Sequence, residues 1–200
     1  MLIAFEGLDQ SGKETQARTL RAKLAQDGRR VRALSFPEYE TPIGREIRQA
    51  LDGQREFSAD VMQLLYVANR LEFKSRLELW LNAGDMVVCD RYCASTVAYG
   101  EAQGLDAGWL NEIQRPLPKP DITVLLDIPP DAAARRKATN RDRYERDLEL
   151  LARVRDSYKR QAAAGGWCLI DADAPKEIVA AAVESAVLSR LAPPSARARS

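Results

Sequence analysis

A glycine-rich segment with a single lysine, near the start of the chain, has the spacing of a phosphate-binding loop. Residues 7–15 read Gly-Leu-Asp-Gln-Ser-Gly-Lys-Glu-Thr and match the pattern G-x-x-x-x-G-K. Glycines let backbone N–H groups turn inward around phosphate oxygens, and Lys13 adds a positive charge there. An apolar run precedes the segment and a helical pattern follows it, which argues against a chance glycine-rich turn. The residues predicted to bind a nucleoside triphosphate are Gly7, Gln10, Ser11, Gly12, Lys13, Glu14 and Thr15.

One position departs from this motif. The residue after the lysine is normally Ser or Thr, whose hydroxyl binds Mg²⁺, whereas this chain has Glu14 followed by Thr15. Thr15 can still reach a phosphate from the first turn of the helix. We therefore expect Mg²⁺ to be held by Glu14, by Asp90 or largely by water, which this ion readily keeps.

A second acidic residue ends the apolar run Met-Val-Val-Cys at residues 86–89. In doubly wound sheets, ligands bind beyond the carboxyl ends of the strands, so Asp90 and Arg91 are expected beside the phosphate-binding loop. A carboxylate there can help to hold Mg²⁺, and the planar fork of Arg91 can bridge two phosphate groups. Taken alone, the Asp-Arg pair predicts a surface turn; beside a phosphate-binding loop, the catalytic interpretation is favoured.

The composition excludes several classes of protein. The chain has 200 residues and no His, which rules out Ser-His-Asp and Cys-His hydrolases. Its three cysteines lack metal-ligand spacing and are expected to be reduced thiols. A net charge of +1 gives no electrostatic case for a nucleic-acid partner. The apolar run at the N-terminus is too short for a signal peptide or a membrane span, so a cytoplasmic protein is expected.

Short apolar runs alternate with helix-period stretches, and these elements must position the polar residues. Continuous apolar runs are typical of parallel strands buried on both faces, and strand–helix repetition predicts right-handed crossovers. The sequence therefore predicts an α/β fold: a three-layer, doubly wound parallel sheet of about five strands with helices on both faces, of P-loop NTPase type. The expected strands are Leu2–Glu6, Arg30–Ser35, Met86–Asp90, Ile122–Asp127 and Trp167–Asp171. The expected helices are Lys13–Gln26, Pro42–Leu51, Ala59–Asn82, Ser95–Ala102, Pro130–Lys137, Asp147–Ala164 and Pro175–Leu191.

Neither an internal repeat nor a linker interrupts this pattern. Residues 1–191 are therefore expected to form a single domain. Residues 192–200 are small, polar and proline-containing, and we expect them to form a disordered tail.

Five phrases spread along the chain resemble the thymidylate kinase family. They are Phe-Glu-Gly-Leu-Asp-Gln-Ser-Gly-Lys at 5–13, Phe-Pro-Glu at 36–38, Leu-Leu-Tyr-Val-Ala-Asn-Arg at 64–70, Asp-Arg-Tyr at 90–92 and Leu-Pro-Lys-Pro-Asp at 117–121. Other nucleotide kinases share the first phrase, and the combination with the others is more diagnostic. The resemblance implies that ATP, with Mg²⁺, phosphorylates thymidine 5′-monophosphate (dTMP) in nucleotide biosynthesis.

The family resemblance assigns the base of the acceptor to one pocket. Phe36 and Pro37 would form one wall, Tyr66 would stack on thymine, and Arg70 would reach a base carbonyl or the acceptor nucleotide. Tyr66 and Arg70 are four positions apart and so share one helix face. Taken alone, Tyr66 is equally typical of core packing, and Arg70 of a solvated charge.

The sugar and the 5′-phosphate are assigned in the same way. The resemblance places Asp9 near the 3′-hydroxyl and Arg91 on the 5′-phosphate. It places Thr96 at the base edge and Tyr99 beside the sugar 2′ position, which favours deoxyribose. Some members of the family have an arginine where this chain has Tyr39, which leaves the phosphate to Arg91, with Arg45 as a further candidate. The residues predicted to bind the acceptor are Asp9, Phe36, Pro37, Tyr39, Tyr66, Arg70, Arg91, Thr96 and Tyr99.

A basic segment, residues 135–146, resembles the lid of such kinases, although a charge run of this kind is often only a solvated face. The family places its catalytic arginine either in the phosphate-binding loop or in the lid. The loop position is Gln10 here, so Arg141 and Arg143 of the lid are the expected donors of positive charge. Arg135 and Arg136 are expected to end the preceding helix. The predicted catalytic residues are Lys13, Asp9, Arg91, Arg141 and Arg143.

The resemblance also implies a homodimer, to which the long Ala59–Asn82 segment would contribute. Three alternatives remain open from the sequence: a kinase for another pyrimidine monophosphate, a deoxynucleoside kinase, and a nucleotide-binding protein without turnover. Glu14 is the feature that favours the last of these.

Overall fold

The computed structural model describes residues 1–136 and 147–191. The strands are β1 (Leu2–Glu6), β2 (Val31–Ser35), β3 (Met86–Asp90), β4 (Ile122–Asp127) and β5 (Cys168–Asp171). The helices are α1 (Lys13–Gln26), α2 (Pro42–Leu51), α3 (Ala59–Leu71), α4 (Lys74–Asn82), α5 (Cys93–Ala102), α6 (Ala107–Glu112), α7 (Pro130–Arg136), α8 (Leu148–Gly165) and α9 (Lys176–Leu191). All strand pairs are parallel, in the order β2-β3-β1-β4-β5.

Helices cover both faces of this sheet, as the apolar runs predict. Alternate residues of a strand point to opposite faces. Ile3 and Phe5 belong to the core cluster formed with α1, α8 and α9. Leu2 and Ala4 belong to a second cluster with Leu77 of α4. The three-layer, doubly wound architecture is therefore confirmed.

The two edge strands depart from the prediction of burial on both faces. Strand β2 has exposed residues, among them Arg32 and Ala33, and every second residue of β5 is exposed. An edge strand has one neighbour instead of two, so the covering helices do not extend fully over it. Among the three central strands, β1 is completely buried, and β3 and β4 have no exposed residue.

The expected long helix Ala59–Asn82 is wrong, because the chain bends at Glu72 and Phe73 and forms α3 and α4. The bend places the Phe73 ring edge-on against Phe36, with 5.7 Å between ring centroids. The short helix α6 was not predicted; Asp106 caps it by accepting a hydrogen bond from the backbone N–H of Trp109 at 2.7 Å.

Three strand ends meet at one edge of the sheet and bring the polar residues together. The backbone N–H of Arg91, after β3, donates to the carbonyl of Phe5 in β1 at 2.9 Å. The backbone N–H of Phe36, after β2, donates to the carbonyl of Asp90 at 2.9 Å. Strands β2 and β3 lie on one side of β1, and β4 and β5 lie on the other. The strand order therefore changes direction beside β1, and doubly wound sheets bind ligands at such a point.

Candidate active site

The loop between β1 and α1 has the backbone shape of a phosphate-binding cradle. Gly7 has φ of +139°, and a Cβ atom at this position would lie 2.4 Å from the carbonyl oxygen of Leu126. Gly12, which caps α1, has φ of +90°. The hydroxyl of Ser11 is buried, without a hydrogen-bond partner among the described residues. The glycines therefore permit a tight turn at the N-terminus of α1, and a polar group inside it is left to be satisfied by a ligand.

Lys13 lies buried at the base of this cradle. Its ammonium group donates to the carbonyl of Leu8 at 2.7 Å. Burial and the nearby charge of Arg91 lower the pKa of Lys13 to about 8, although Asp9, Asp90 and Glu6 oppose this shift. The nearby carboxylates thus do not fully offset the burial of the ammonium group. The negative charge of a polyphosphate in the cradle would stabilise its protonated form.

Arg91 is the centre of a buried polar network. Its guanidinium group donates to the Asp9 carboxylate at 2.6 Å and to the hydroxyls of Ser95 and Tyr158 at 3.1 and 3.2 Å. The Tyr99 hydroxyl also donates to Asp9, at 3.2 Å. Helices α5 and α8 and the phosphate-binding loop therefore fix one arginine together.

The charges of Arg91 and Asp9 stabilise each other. Burial opposes ionisation of Asp9, but Arg91 and Lys13 outweigh it and hold the pKa of Asp9 well below its ordinary value. Burial likewise opposes the charge of Arg91, and Asp9 is the main group that raises its pKa. Both side chains are therefore ionised at neutral pH, and both line the cavity next to the phosphate-binding loop.

A cavity opens beside Arg91, with about 510 Å³ of empty space that includes its mouth to solvent. All nine residues that the sequence predicts for the acceptor line it. They are Asp9, Phe36, Pro37, Tyr39, Tyr66, Arg70, Arg91, Thr96 and Tyr99. Three other lining residues, Leu51, Gln63 and Ser95, were not predicted. The cavity therefore combines an aromatic wall, a buried guanidinium group on the floor and a second arginine at the end towards the phosphate-binding loop.

Arg70 is a buried residue of the cavity and not a solvated charge. Its side chain donates to the Thr96 hydroxyl at 2.7 Å, and its guanidinium carbon lies 6.0 Å from the centre of the Phe36 ring. The Nε atom of Arg70 is buried and has no partner in the described part of the chain. Arg70 can therefore offer a further hydrogen bond to a carbonyl group in the cavity.

Asn69 fixes the turn that forms the opposite wall. Its side-chain oxygen accepts from the backbone N–H of Glu38 at 2.8 Å. Its amide nitrogen lies 3.1 Å from the Glu38 carbonyl and 2.9 Å from the Thr41 hydroxyl. Asn69 lies on α3 with Tyr66 and Arg70, so it ties the turn to the helix that carries these two cavity-lining side chains.

The position of Tyr39 is set by an arginine that the sequence did not single out. The guanidinium carbon of Arg48 lies 3.9 Å from the centre of the Tyr39 ring. Arg45, the further candidate for the acceptor phosphate, instead donates to the backbone carbonyl of Glu40 at 2.5 Å on the exposed surface. Arg45 is not among the residues that line the cavity, and its contribution to the acceptor-phosphate site stays a prediction.

Asp90 and Glu14 line a second cleft, next to the phosphate-binding loop. The Oδ1 atom of Asp90 is buried and has no partner among the described residues. Burial raises the pKa of Asp90, against the attraction of Lys13 and Arg91. A carboxylate oxygen without a donor suits a hard cation such as Mg²⁺. Within residues 1–136 and 147–191, no three Asp, Glu or Cys side chains converge on one point, so the ion would depend on these residues, phosphate and water.

Several polar residues of the site escaped the sequence interpretation. Glu6 is fully buried and accepts hydrogen bonds from the Tyr92 backbone N–H at 2.9 Å and from Ser95 at 2.7 Å. Tyr158, on α8, also reaches Glu6, at 3.2 Å. Arg136 ends α7 as expected and donates to the Gln10 carbonyl at 3.1 Å. The predicted lid residues Arg141 and Arg143 lie outside the described residues.

The fold and the site together define a class of protein. The sheet is parallel, a phosphate-binding loop follows its central strand, and a cavity lined by Arg70 and Arg91 lies beside this loop. This is the arrangement of a P-loop nucleotide kinase.

Comparison with known proteins identifies the family. The sequence model of the family described as thymidylate kinase matches residues 5–183. The chain is 38% identical to the thymidylate kinase of Thermomicrobium roseum over 92% of this chain and 93% of that one. It is 35% identical to that of Arabidopsis thaliana over 95% of this chain and 72% of the relative. The structure of thymidylate kinase from Candida albicans superposes with a TM-score of 0.80 at 29% identity, over 95% and 92% of the two chains. The chain belongs to the thymidylate kinase family.

Proposed function

We propose that the protein transfers the γ-phosphoryl group of ATP directly to the 5′-phosphate of dTMP, which yields ADP and thymidine diphosphate. One observation carries this proposal: the nine residues predicted for the acceptor line a single cavity, and Arg91 and Asp9 stand where that cavity meets the phosphate-binding loop. An acceptor bound there has its phosphate next to the donor's phosphates. This proximity is the main requirement of an in-line displacement.

The catalytic roles follow from charge and position. Backbone N–H groups of the cradle and Lys13 bind the phosphates of ATP, and Arg91 binds the acceptor phosphate while Asp9 holds its guanidinium in place. A phosphate monoester is already a competent nucleophile at neutral pH, so no general base is needed. Positive groups fixed in a largely buried site stabilise the charge that develops on the transferring group. Because Gln10 carries no charge, we assign a further arginine to the lid, with Arg141 and Arg143 as candidates.

Asp90 and Glu14 are the proposed residues for Mg²⁺. When bound, this ion neutralises phosphate charge and bridges phosphate oxygens. We expect Asp90→Asn to raise the Mg²⁺ concentration needed for half-maximal activity by about 10- to 100-fold, because Asp90 has the buried, unpartnered oxygen.

Glu14→Ser provides the comparison. Glu14 is exposed, and serine restores the usual hydroxyl, so activity should be preserved or raised. Titration of both variants with Mg²⁺ at saturating ATP measures the effect. A complete loss of activity in Glu14→Ser would show that Glu14 has a specific role of its own, and an unchanged Mg²⁺ requirement in Asp90→Asn would remove Asp90 from the site.

The acceptor assignment is tested with a panel of substrates. ADP production from Mg·ATP is measured with dTMP, deoxyuridine monophosphate, deoxycytidine monophosphate and thymidine, each offered separately. The proposal predicts strong turnover with dTMP, weaker turnover with the deoxyuridine analogue and negligible turnover with thymidine. Turnover confined to another acceptor would overturn the Tyr66–Arg70 assignment, and tight ATP binding without turnover would leave a non-catalytic nucleotide-binding protein.

We also propose that the protein forms a homodimer through α3. Val61, Leu64 and Leu71 lie on one face of this helix and are 36%, 46% and 37% exposed. Apolar side chains in such a row are typical of a surface that a partner covers. Among the described residues, no helix is long and apolar enough to cross a membrane.

Leu64→Glu is expected to shift the protein from dimer to monomer, because a carboxylate would be buried in the interface. Sedimentation velocity at micromolar concentration measures the state. Ile178→Glu is the matched control: Ile178 lies on α9, is 62% exposed, and should leave the dimer intact. A monomeric parent protein, or a Leu64→Glu variant that remains dimeric, would contradict the proposed interface.

A further inference from the structure

Gln63 is a buried polar residue beneath the acceptor cavity that neither the sequence motifs nor the proposed mechanism uses. It lies on α3, three positions before Tyr66 and seven before Arg70, and so on the same helix face. It is 1% exposed and contributes to the lining of the cavity. Within residues 1–136 and 147–191, neither its Nε2 nor its Oε1 atom has a hydrogen-bond partner.

The described part of the chain gives no hydrogen-bonding reason for a carboxamide at this position. Met62, the residue before Gln63, is buried in a core cluster with Ile47 and Ala50, with Leu51 and Phe57 packed against it. Nearly all buried polar groups in folded proteins have partners, and an amide without them destabilises the fold. An apolar side chain of the same size would be the stabilising choice here, so the carboxamide requires a partner that enters from the cavity.

We propose that Gln63 is a specificity-determining residue that pairs with the edge of the acceptor's pyrimidine ring; this inference rests on the proposed function. The carboxamide offers one donor group and one acceptor atom, and the Nε–H of Arg70 is a second unmatched donor. The imide edge of thymine carries the complementary set, a ring N–H between two carbonyl oxygens. Arg70 has only donor groups, so it pairs with one carbonyl oxygen of this edge. The carboxamide of Gln63 then pairs with the ring N–H and the other carbonyl oxygen.

Pairing requires a small rearrangement of the cavity. Both amide atoms of Gln63 are buried, so the side chains that cover them must shift when a base enters. Tyr66 is half-buried on the next turn of α3, and its ring is the one assigned to stack on the base. A shift of this ring on stacking is the movement expected to uncover the amide.

The Gln63→Met variant tests this inference, because the two possible roles of Gln63 give different results. Methionine has nearly the same length and no hydrogen-bonding amide. If Gln63 reads the base, the variant has an equal or higher melting temperature, a KM for dTMP raised about tenfold or more, and an unchanged KM for ATP. If the melting temperature rises while the KM for dTMP stays the same, the amide is only a structural defect and the inference is wrong.

Met62→Leu is the matched control, because Met62 is the buried neighbour of Gln63 and does not line the cavity. Its KM for dTMP should equal that of the parent protein. The parent protein must first phosphorylate dTMP; if it does not, the proposed function fails and this inference fails with it. If the parent is active and the KM of Gln63→Met is unchanged, only this inference fails.

A measurement on the unaltered protein decides the matter even if Gln63→Met does not fold. In ¹⁵N-labelled protein, the side-chain NH₂ signals of Gln63 are identified by their selective loss in Gln63→Asn. Saturation with dTMP should move these signals downfield and slow their exchange with water, as expected for a donor that gains an acceptor. Signals that do not change on dTMP binding would overturn the inference.

Discussion

Arg91→Ala is expected to lower kcat/KM for dTMP by about a thousandfold or more, the range in which loss of a phosphate-binding arginine falls. The Arg91 side chain is 14% exposed and bonds to Asp9, Ser95 and Tyr158. Alanine removes the proposed acceptor-phosphate site and leaves the Asp9 carboxylate without its neutralising partner. Steady-state kinetics with varied dTMP at saturating Mg·ATP measures the loss.

Arg91→Lys separates charge from geometry in this experiment. Lysine keeps the positive charge but has one nitrogen in place of a planar fork, so it cannot bond Asp9 and a phosphate in the same arrangement. We expect an activity between those of the parent and the alanine variant, with an unchanged KM for ATP. An alanine variant that folds and retains more than about a tenth of the parental kcat/KM would show that Arg91 does not hold the acceptor phosphate.

Lys13→Met is expected to lower kcat by about 100- to 1,000-fold, because it removes a preorganised positive group from the phosphates.

The parent protein should also show a characteristic pH dependence. Burial and Arg91 lower the pKa of Lys13 to about 8, so in the nucleotide-free protein this ammonium group loses its proton as the pH rises through that value. The protonated form binds the anionic nucleotide, so the KM for ATP should rise by about tenfold per pH unit above that pKa.

The methionine variant is the control for this profile. It has no titrating group at this position, so its weaker affinity for ATP should stay constant between about pH 7 and 9.5. Fluorescence or calorimetric titration with a non-hydrolysable ATP analogue measures affinity apart from turnover. A parent protein whose ATP affinity does not change across this range would contradict the assigned role of Lys13.

Much of the fold could be predicted because apolar runs and helical periods mark its elements directly. The bounds of β1, β3, β4, α1 and α2 agree with the prediction. The break between α3 and α4 could not be found, since the helical period continues through Glu72 and Phe73 without glycine or proline. The break coincides with a tertiary contact, the packing of Phe73 on Phe36, which the local sequence pattern does not contain.

The site was predictable to the extent that its residues stand in motifs. Arg91 and Tyr66 occur in phrases whose order along the chain points to a nucleotide kinase. Tyr158 stands in none of these phrases, and Glu6 stands in the first of them without a role that the motif assigns; the two are 152 positions apart and meet only in the folded chain. Gln63 lies one position before the phrase that contains Tyr66, and its significance depends on the absence of a partner, which requires coordinates.

Identification of the products by ³¹P NMR shows whether this chain moves a phosphoryl group from ATP to the phosphate of dTMP. Purified protein is incubated with Mg·ATP and dTMP, and the phosphorus signals are followed until they stop changing. Phosphoryl transfer to dTMP gives the signals of ADP and thymidine diphosphate in equal amounts, with no free orthophosphate above that of a protein-free control. Orthophosphate with unchanged dTMP would identify an ATPase, and unchanged ATP would identify a binding protein; either result would rule out the proposed reaction.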